Sequence, residues 1–268
     1  MVIDKANIQD KALSIRISTN GFCFCTYVPS EQESLKYFSC PADSRRSLAS
    51  NLQDAIESCQ LIKHGDRYNV KAIIETSEYT CVPADYDKKS DHELFFRTCF
   101  PKSGDCEIAA NRLNMQGHTI LFPVENSIAE ILRRLGEVTY YTPASIIISY
   151  LGYKPMNERQ YMLAYLYNDI AFILAMDNGK VQISNIFKKE ENENIVFYLL
   201  SIWKEQGLSQ TGDTLYICGD SSVENFAQAA GRFIKNIRRI NPNELFAPTL
   251  LNRAKGIPFD LQALILCE

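Results

Sequence analysis

The chain of 268 residues carries 28 Lys and Arg against 32 Asp and Glu, which gives a net charge of −4 and an isoelectric point near 5.6. This balance provides no general attraction to phosphate backbones or anionic lipid, so it argues against a nucleic-acid-binding protein. Hydrophobic residues make up 46% of the chain, which excludes a disordered chain and predicts a folded protein with a sizeable core.

The sequence predicts neither a targeting signal nor a metal site or disulfide built from its cysteines. The first ten residues have neither a basic start nor an apolar stretch, so we expect no secretory signal there. The longest strongly apolar run, residues 144–153, is shorter than the roughly 20 residues that a membrane-spanning helix needs. The nine cysteines form no CxxC pair, which predicts buried free thiols in a reducing compartment rather than a metal site or disulfides. We therefore expect a cytoplasmic protein.

The chain begins with a unit of two hairpin strands, a third strand, a helix and a fourth strand. The strands are predicted at residues 11–18, 22–28, 35–40 and 70–74 from their alternating or β-rich patterns. Asn20 and Gly21 tolerate the positive φ angles of a tight hairpin turn. Asp43 or Ser44 is predicted to cap the helix, whose apolar residues recur at helical spacing up to Cys59.

Further strands and helices follow up to a break in the chain. Strands are predicted at residues 79–82, 107–114, 118–122 and 138–141, and helices at residues 92–100, 126–135 and 143–150. Gly152 and Pro155 then interrupt an otherwise regular chain. We place the boundary between two lobes there, which gives a first lobe of residues 1–155 and a second lobe of residues 156–268.

The second lobe repeats the pattern of the first. Strands are predicted at residues 161–167, 170–176, 181–187 and 215–218, with helices at residues 195–207 and 223–237. If Leu13 and Met162 are equivalent, the repeat has an offset of 149 residues. Basic residues at the end of the helix at 223–237 are expected to face the negative end of its dipole. The apolar residues 259–267 are expected to pack back on the body.

This order of elements resembles the actin-like ATPase superfamily, which includes sugar kinases, heat-shock ATPases and actin. Shorter motifs make the second half similar to an uncharacterised bacterial family with this fold. These motifs are Asn178-Gly-Lys180, Ser184-Asn-Ile-Phe187, Phe197-Tyr-Leu-Leu200, Leu215-Tyr-Ile-Cys-Gly-Asp220 and Leu266-Cys-Glu268. The resemblance implies a duplicated two-lobed α/β fold, ribonuclease H-like, with mixed sheets flanked by helices. In the superfamily, nucleotide lies between the matching hairpin turns of the two lobes.

The residues that bind the metal and the nucleotide in the actin-like ATPase superfamily are altered in this chain. The first hairpin normally supplies an acid that holds hydrated Mg²⁺, whereas this strand offers Arg16. The second turn keeps an acid at Asp169 but lacks the usual glycine, and the usual glycine pair of the adenosine-binding strand is reduced to Gly219. The remnants of the nucleotide cleft are Ser18, Thr19, Asn20, Gly21, Asn168, Asp169, Gly219 and Asp220.

These departures predict a protein without catalytic residues. Phosphoryl transfer needs a metal and hydrogen-bond donors to neutralise transition-state charge, so the loss of the metal carboxylate is severe. The leading hypothesis is a non-catalytic interaction or scaffold protein with a protein partner and a degenerate ATPase fold, for which ATP could be a ligand without efficient hydrolysis. One alternative is a nucleotide-binding switch. Another is a weak ATPase or small-molecule kinase that uses Asp169 or Asp220 to hold the metal.

The interlobe space is expected to be too shallow for a nucleotide. Bulky side chains at its walls would prevent the close approach of backbone to phosphate that glycine permits. The side chains expected to fill it are Arg16, Tyr165 and Tyr167, and the space in question lies between Thr19, Asn168 and Gly219.

Overall fold

The chain forms two large sheets and one small sheet, joined and flanked by helices. The computed structural model describes residues 11–28, 31–153, 155–188, 192–240 and 256–266. The strands are β1 (Lys11–Ser18), β2 (Gly21–Val28), β3 (Glu31–Pro41), β4 (Tyr68–Ile74), β5 (Thr80–Pro83), β6 (Cys106–Leu113), β7 (His118–Glu125), β8 (Gly136–Tyr141), β9 (Gln160–Tyr167), β10 (Ile170–Asp177), β11 (Lys180–Lys188), β12 (Thr214–Gly219) and β13 (Asn236–Arg239). The helices are α1 (Leu48–Ser58), α2 (His92–Cys99), α3 (Asn126–Arg133), α4 (Pro143–Tyr153), α5 (Asn192–Glu205), α6 (Ser222–Ala230) and α7 (Phe259–Leu266).

The two large sheets have the same strand order, which confirms the predicted duplicated fold. They run β3-β2-β1-β4-β8 and β11-β10-β9-β12-β13, while β5-β7-β6 form the small sheet. In each large sheet three antiparallel strands continue into two parallel strands. Strand β9 starts 149 residues after β1, and β10 starts 149 residues after β2, with equal lengths in both pairs. The predicted offset is therefore the offset of the folded repeat.

The two faces of each large sheet bury different parts of the core. On β1 the side chains of Leu13, Ile15 and Ile17 pack with α1 and α3, away from the other lobe. The opposite faces of both sheets contribute to one cluster shared by the two lobes, in which α4 and α7 are buried. Because residues on a strand alternate between faces, Arg16 of β1 points toward this shared cluster. The cationic side chain of Arg16 therefore lies at the centre of the molecule.

Helix α7 lies in that centre, as the prediction for residues 259–267 implies. It contacts α4 and β1, and the rings of Phe259 and Tyr150 meet edge to face at 5.2 Å. Cys267 and Glu268 lie outside the described residues, as do the first ten residues. No helix in the described ranges is long and apolar enough to cross a membrane.

The prediction of one helix over residues 223–237 is wrong. Helix α6 ends at Ala230, where the amides of Phe233 and Ile234 turn back to its carbonyl oxygen. The following residues form β13, which pairs in parallel with β12 as the last strand of the second sheet. Arg238 and Arg239 consequently lie on a strand, not at a helix end. Sheet pairing with a distant strand overrides the helical spacing of the apolar residues.

Smaller predictions also need correction. Ser47, not Asp43 or Ser44, caps α1, since its hydroxyl accepts the Ser50 amide. Helix α4 extends through Gly152 to Tyr153 instead of ending at Tyr150, so Gly152 does not interrupt it. The boundary at residue 155 itself stays a prediction.

The expectation that all cysteines are buried is only partly correct. Cys23, Cys25, Cys59 and Cys218 are buried, whereas Cys81 and Cys99 are exposed and Cys40 and Cys106 are partly exposed. All eight of these thiols are free. The exposed ones lie on and beside the small sheet, which is too thin to enclose both of its faces.

Candidate functional site: a buried arginine at the first hairpin

Arg16 is a fully buried cation in the middle strand of the first sheet, with 1% of its surface exposed. Its Nε donates a hydrogen bond to Oδ2 of Asp260 at 2.8 Å, and its Nη2 donates to Oε2 of Glu75 at 2.6 Å. Its guanidinium carbon lies 4.2 Å from the centre of the Tyr167 ring, a cation–π contact. We call Arg16, Glu75, Tyr167 and Asp260 the Arg16 cluster.

Four separate parts of the chain supply the Arg16 cluster. Arg16 comes from β1, and Glu75 directly follows β4, where its amide donates to the carbonyl oxygen of Ile17. Tyr167 is the last residue of β9, in the second lobe, and Asp260 lies in the first turn of α7. The cluster therefore joins both lobes and the C-terminal helix at one point.

The cluster contains one cation and two carboxylates, all withdrawn from water. The side chains of Arg16, Glu75 and Asp260 are exposed by only 2%, 5% and 0%. Burial works against the charge of Arg16, but Asp260, Tyr165 and Glu75 together hold its pKa above the ordinary value. Burial also raises the pKa of Glu75, and the guanidinium offsets only part of that shift. The cation is thus fixed in its charged form.

Arg16 thus places a positive charge at the strand position where the resemblance to actin-like ATPases implies an acid that holds the metal. A guanidinium has only hydrogen-bond donors, so it cannot ligate a metal ion. Its carboxylate partners, Glu75 and Asp260, are each committed to it. Among the described residues, no group of three or more His, Cys, Asp or Glu side chains is arranged to hold a metal ion.

The two hairpin turns meet directly. Nδ2 of Asn20 donates a hydrogen bond to Oδ2 of Asp169 at 2.6 Å, across a sequence separation of 149 residues. That separation equals the repeat offset, so the two residues occupy equivalent positions in the two lobes. Asp169 therefore lies at the interlobe contact, as the metal-holding alternative requires, but one of its oxygens is engaged by Asn20.

Asp220 holds the second turn in place. Its Oδ2 accepts the backbone amide of Asn168 at 2.7 Å, and its Oδ1 accepts the amide of Ser222 at 2.8 Å. Its own amide donates to the carbonyl oxygen of Leu166 at 2.9 Å. Asn168 adopts a positive φ of 50°, which this bond supports. Both carboxylate oxygens are used within the protein, so the side chain has a structural role.

The two glycines of the predicted site are explained by close backbone packing. Gly219 has a φ of +138°, and a Cβ added there would lie 1.7 Å from the carbonyl oxygen of Leu166 on β9. Gly21 has a φ of +156°, and its Cβ would lie 2.5 Å from the carbonyl oxygen of Cys40 on β3. Only glycine fits these positions, whether or not a phosphate approaches.

The remaining predicted residues line two different cavities. Ser18, whose hydroxyl donates to the carbonyl oxygen of Gly21 at 2.9 Å, shares a cavity of about 270 Å³ with Arg16, Asn20, Gly21, Tyr167 and Asn168. This volume is close to the roughly 300 Å³ at the lower end for ligand pockets. Neither Thr19 nor Gly219 lines the cavity, so the expected shallow space between Thr19, Asn168 and Gly219 stays a prediction. Thr19 lines another cavity of about 440 Å³, which belongs to the first lobe. Gly219 and Asp220 line neither.

The cavity beside Thr19 is acidic. Glu75, Asp105 and Glu125 contribute to its wall, and no Lys, Arg or His is present among the described residues that line it. Ile17, Ile74 and four other apolar or small side chains supply its floor. Those four are Leu48, Cys106, Pro123 and Ile128. Such a surface repels the phosphates that a nucleotide would bring to this turn.

Glu75 and Asp260 are the functional residues that sequence reasoning missed. Asp260 stands inside an apolar segment, which is an unusual place for a charge unless a partner is buried beside it. Arg16 carries the same signal within β1. Nothing in the sequence, however, joins two charges that are 244 residues apart.

Comparison with known proteins settles the family. The profile of the family described as "Protein of unknown function (DUF3822)" matches residues 3–237. The chain belongs to this family. A search of curated proteins finds no match to this DUF3822 chain.

Solved structures establish the fold of the DUF3822 chain independently. A Bacteroides thetaiotaomicron protein with an actin-like ATPase fold and unknown function is 25% identical, with 100% of both chains covered and a TM-score of 0.81. A chain of the PilM–PilN type IV pilus biogenesis complex is 12% identical, with 96% of this chain and 97% of that chain covered and a TM-score of 0.60. The actin-like ATPase fold expected from the sequence is therefore confirmed.

Removal of the buried cation should destabilise the protein strongly. We expect Arg16→Met to lower the free energy of unfolding by roughly 3–5 kcal/mol, because it leaves two buried carboxylates without their partner. Denaturant unfolding measures this. The control is Arg45→Ala, which breaks an ion pair whose arginine is 86% exposed and should lower stability far less. Similar losses in the two variants would contradict a stabilising cluster. The triple variant that combines Arg16→Met with Glu75→Gln and Asp260→Asn should recover part of the lost free energy of unfolding.

The raised pKa of Glu75 makes its contribution to stability depend on pH. A carboxyl group whose pKa rises on folding holds its proton more tightly in the folded state. Its contribution is therefore fully present below its unfolded pKa and is lost as the pH rises through its folded pKa. We expect the wild type to lose stability relative to Glu75→Gln in denaturant unfolding as the pH rises above the unfolded pKa of about 4. A constant or opposite difference would show that the pKa of Glu75 is not raised.

Gly219→Ala should distort the contact between β12 and β9. The new Cβ would clash with the carbonyl oxygen of Leu166 in a backbone conformation that favours glycine, so we expect a loss of at least about 2 kcal/mol in unfolding free energy. Gly104→Ala is the control, since a Cβ there meets nothing within 4 Å. Equal stability of the two variants would mean that the close approach is not required.

Proposed function

We propose that this protein is a non-catalytic interaction protein that uses a degenerate actin-like ATPase fold to hold a protein partner. The observation that carries the proposal is the Arg16 cluster. A buried, fully paired guanidinium occupies the strand position at which an acid would hold the metal in the resemblance to active ATPases.

The chemistry of phosphoryl transfer supports this proposal. The reaction depends on positioning and on cations that neutralise charge on the transferred group. Arg16 cannot perform this task, because Asp260 and Glu75 hold its Nε and Nη2. The carboxylates that border Thr19 would also oppose an approaching phosphate.

The alternative of a weak ATPase or kinase would need Asp169 or Asp220 to hold the metal. Both carboxylate oxygens of Asp220 accept hydrogen bonds from backbone amides, and loss of these bonds would release the second turn. Asp169 is bound to Asn20. A metal ion would have to displace or share these contacts, which favours the non-catalytic proposal.

Two observations support a protein partner. One protein that shares this fold is found in the PilM–PilN type IV pilus biogenesis complex, so partner binding has a precedent in the fold. Helix α5 exposes Phe197 and Tyr198, and the Tyr198 ring stacks on Phe187 at 4.7 Å. Exposed aromatic side chains are enriched at protein interfaces. Free thiols in the described residues suit a cytoplasmic location, which is part of the proposal.

Titration with ATP and Mg²⁺, followed by a phosphate-release assay, tests the proposal. We expect no phosphate release above a protein-free control, because the metal-holding acid is replaced by Arg16. Saturable heat without phosphate release would instead indicate a nucleotide-binding switch. Steady release that disappears in Ser18→Ala and Asp169→Asn would overturn the proposal in favour of an ATPase.

A further inference from the structure

A separate cavity of about 360 Å³ lies in the first lobe, away from the two hairpin turns. It forms where the large sheet ends at β8 and the small sheet ends at β6, with α4 and Leu264 of α7 beside them. Nδ2 of Asn111 on β6 donates to the carbonyl oxygen of Tyr140 on β8 at 2.8 Å. This bond holds the two sheet edges at a fixed distance and keeps the cavity open between them.

Three elements direct polar side chains into this space. Lys71 of β4 and Thr139 of β8 are direct partners in parallel register, so their side chains stand side by side on one face of the sheet. Ser145 and Ser149 are four residues apart on α4 and share one face of that helix. Arg112 contributes from β6.

The cavity is rich in hydrogen-bond donors and positive charge. Lys71 and Arg112 line it together with the hydroxyls of Thr139, Tyr141, Ser145 and Ser149, and no Asp or Glu occurs among the described residues of its wall. This is opposite to the cavity beside Thr19, whose wall has three carboxylates and no cation in the described chain. In a chain of net charge −4, the described wall of this cavity carries two cations, whereas the cavity at Arg16 carries one.

The guanidinium of Arg112 is available to a ligand. It makes no hydrogen bond or ion pair within the described chain, although its charge acts on the Asp87 carboxylate. Asp87 is already bound, because Thr119 donates to its Oδ2 at 2.6 Å and His92 contacts its Oδ1 at 2.6 Å. The donors of Arg112 are therefore not used by that carboxylate.

The start of α4 strengthens the preference for negative charge. Ser145 lies in its first turn, accepts the Thr142 amide at 3.2 Å and donates to Oδ1 of Asn111 at 2.6 Å. The Thr142 hydroxyl, next to the lining residue Tyr141, is buried without a partner among the described residues. The positive end of the helix dipole thus adds to the two cations at the cavity.

We infer that this cavity binds a small molecule bearing an oxyanion, either a phosphate or a carboxylate group. Arg112 supplies a planar fork of donors, Lys71 a point charge, and the hydroxyls of Thr139 and Ser149 further hydrogen bonds. The volume falls within the range of small-ligand sites. None of Arg16, Glu75, Tyr167 and Asp260 lines this cavity, so the site is distinct from the Arg16 cluster and does not depend on the proposed function.

Isothermal titration of the whole protein with inorganic phosphate and, separately, with acetate tests the inference at constant ionic strength. We expect saturable binding of at least one of the two anions. Arg112→Gln should weaken it by roughly tenfold or more, since hydrogen bonds to charged groups contribute about 1.5–3 kcal/mol. Lys71→Met should weaken it as well. Arg134→Gln removes an exposed cation outside the cavity and should leave the affinity unchanged.

The two anions separate the possible ligand classes. Binding of phosphate alone assigns a phosphate-bearing ligand, and binding of acetate alone assigns a carboxylate. The inference is overturned if neither anion binds, or if Arg112→Gln and Lys71→Met retain wild-type affinity. It is also overturned if Arg134→Gln weakens binding as much as Arg112→Gln, because the effect would then reflect general surface charge.

Discussion

The structure depends on the need to compensate a buried guanidinium. A charge without partners inside a protein is costly enough that Arg16 can be buried only if Glu75 and Asp260 are both in place. This condition requires β4 to lie beside β1 and α7 to be docked between the lobes. The aromatic face of Tyr167 brings in the second lobe as well. One side chain thereby makes the assembly of four distant segments interdependent.

The polar residues around the hairpin turns make hydrogen bonds and close backbone contacts within the protein. Asp220 fixes a turn, Asn20 reaches the opposite lobe, and the two glycines allow strands to approach closely. Each of these residue types would also suit a nucleotide site, which is why the sequence pattern alone is ambiguous. In the structure Asn20, Asp169 and Asp220 have hydrogen-bond partners within the chain, which supports the proposed loss of the nucleotide site.

Local patterns predicted the strands and turns well, because alternation and turn-forming residues act over a few positions. The hairpin at Asn20 and the 149-residue repeat follow from such signals. The predictions that failed depend on contacts between residues that are far apart in the sequence. Strand β13 forms because β12 offers an edge, despite helical spacing in the sequence. The pairing of Arg16 with Asp260 joins residues 244 apart, and only the fold can bring them together.

The contact between Asn20 and Asp169 has a consequence for self-association. Asn20 and Asp169 occupy equivalent positions in the two lobes and touch each other, so they lie close to the axis of the two-fold relation between the lobes. In a symmetric dimer, each residue on such an axis would meet its own copy. Two aspartates in that place would repel, whereas an amide facing a carboxylate attracts. Because the two halves differ at this point, pairing of the second lobe with another second lobe is disfavoured. The difference between the two halves at this position therefore favours the contact within one chain over a contact between two second lobes.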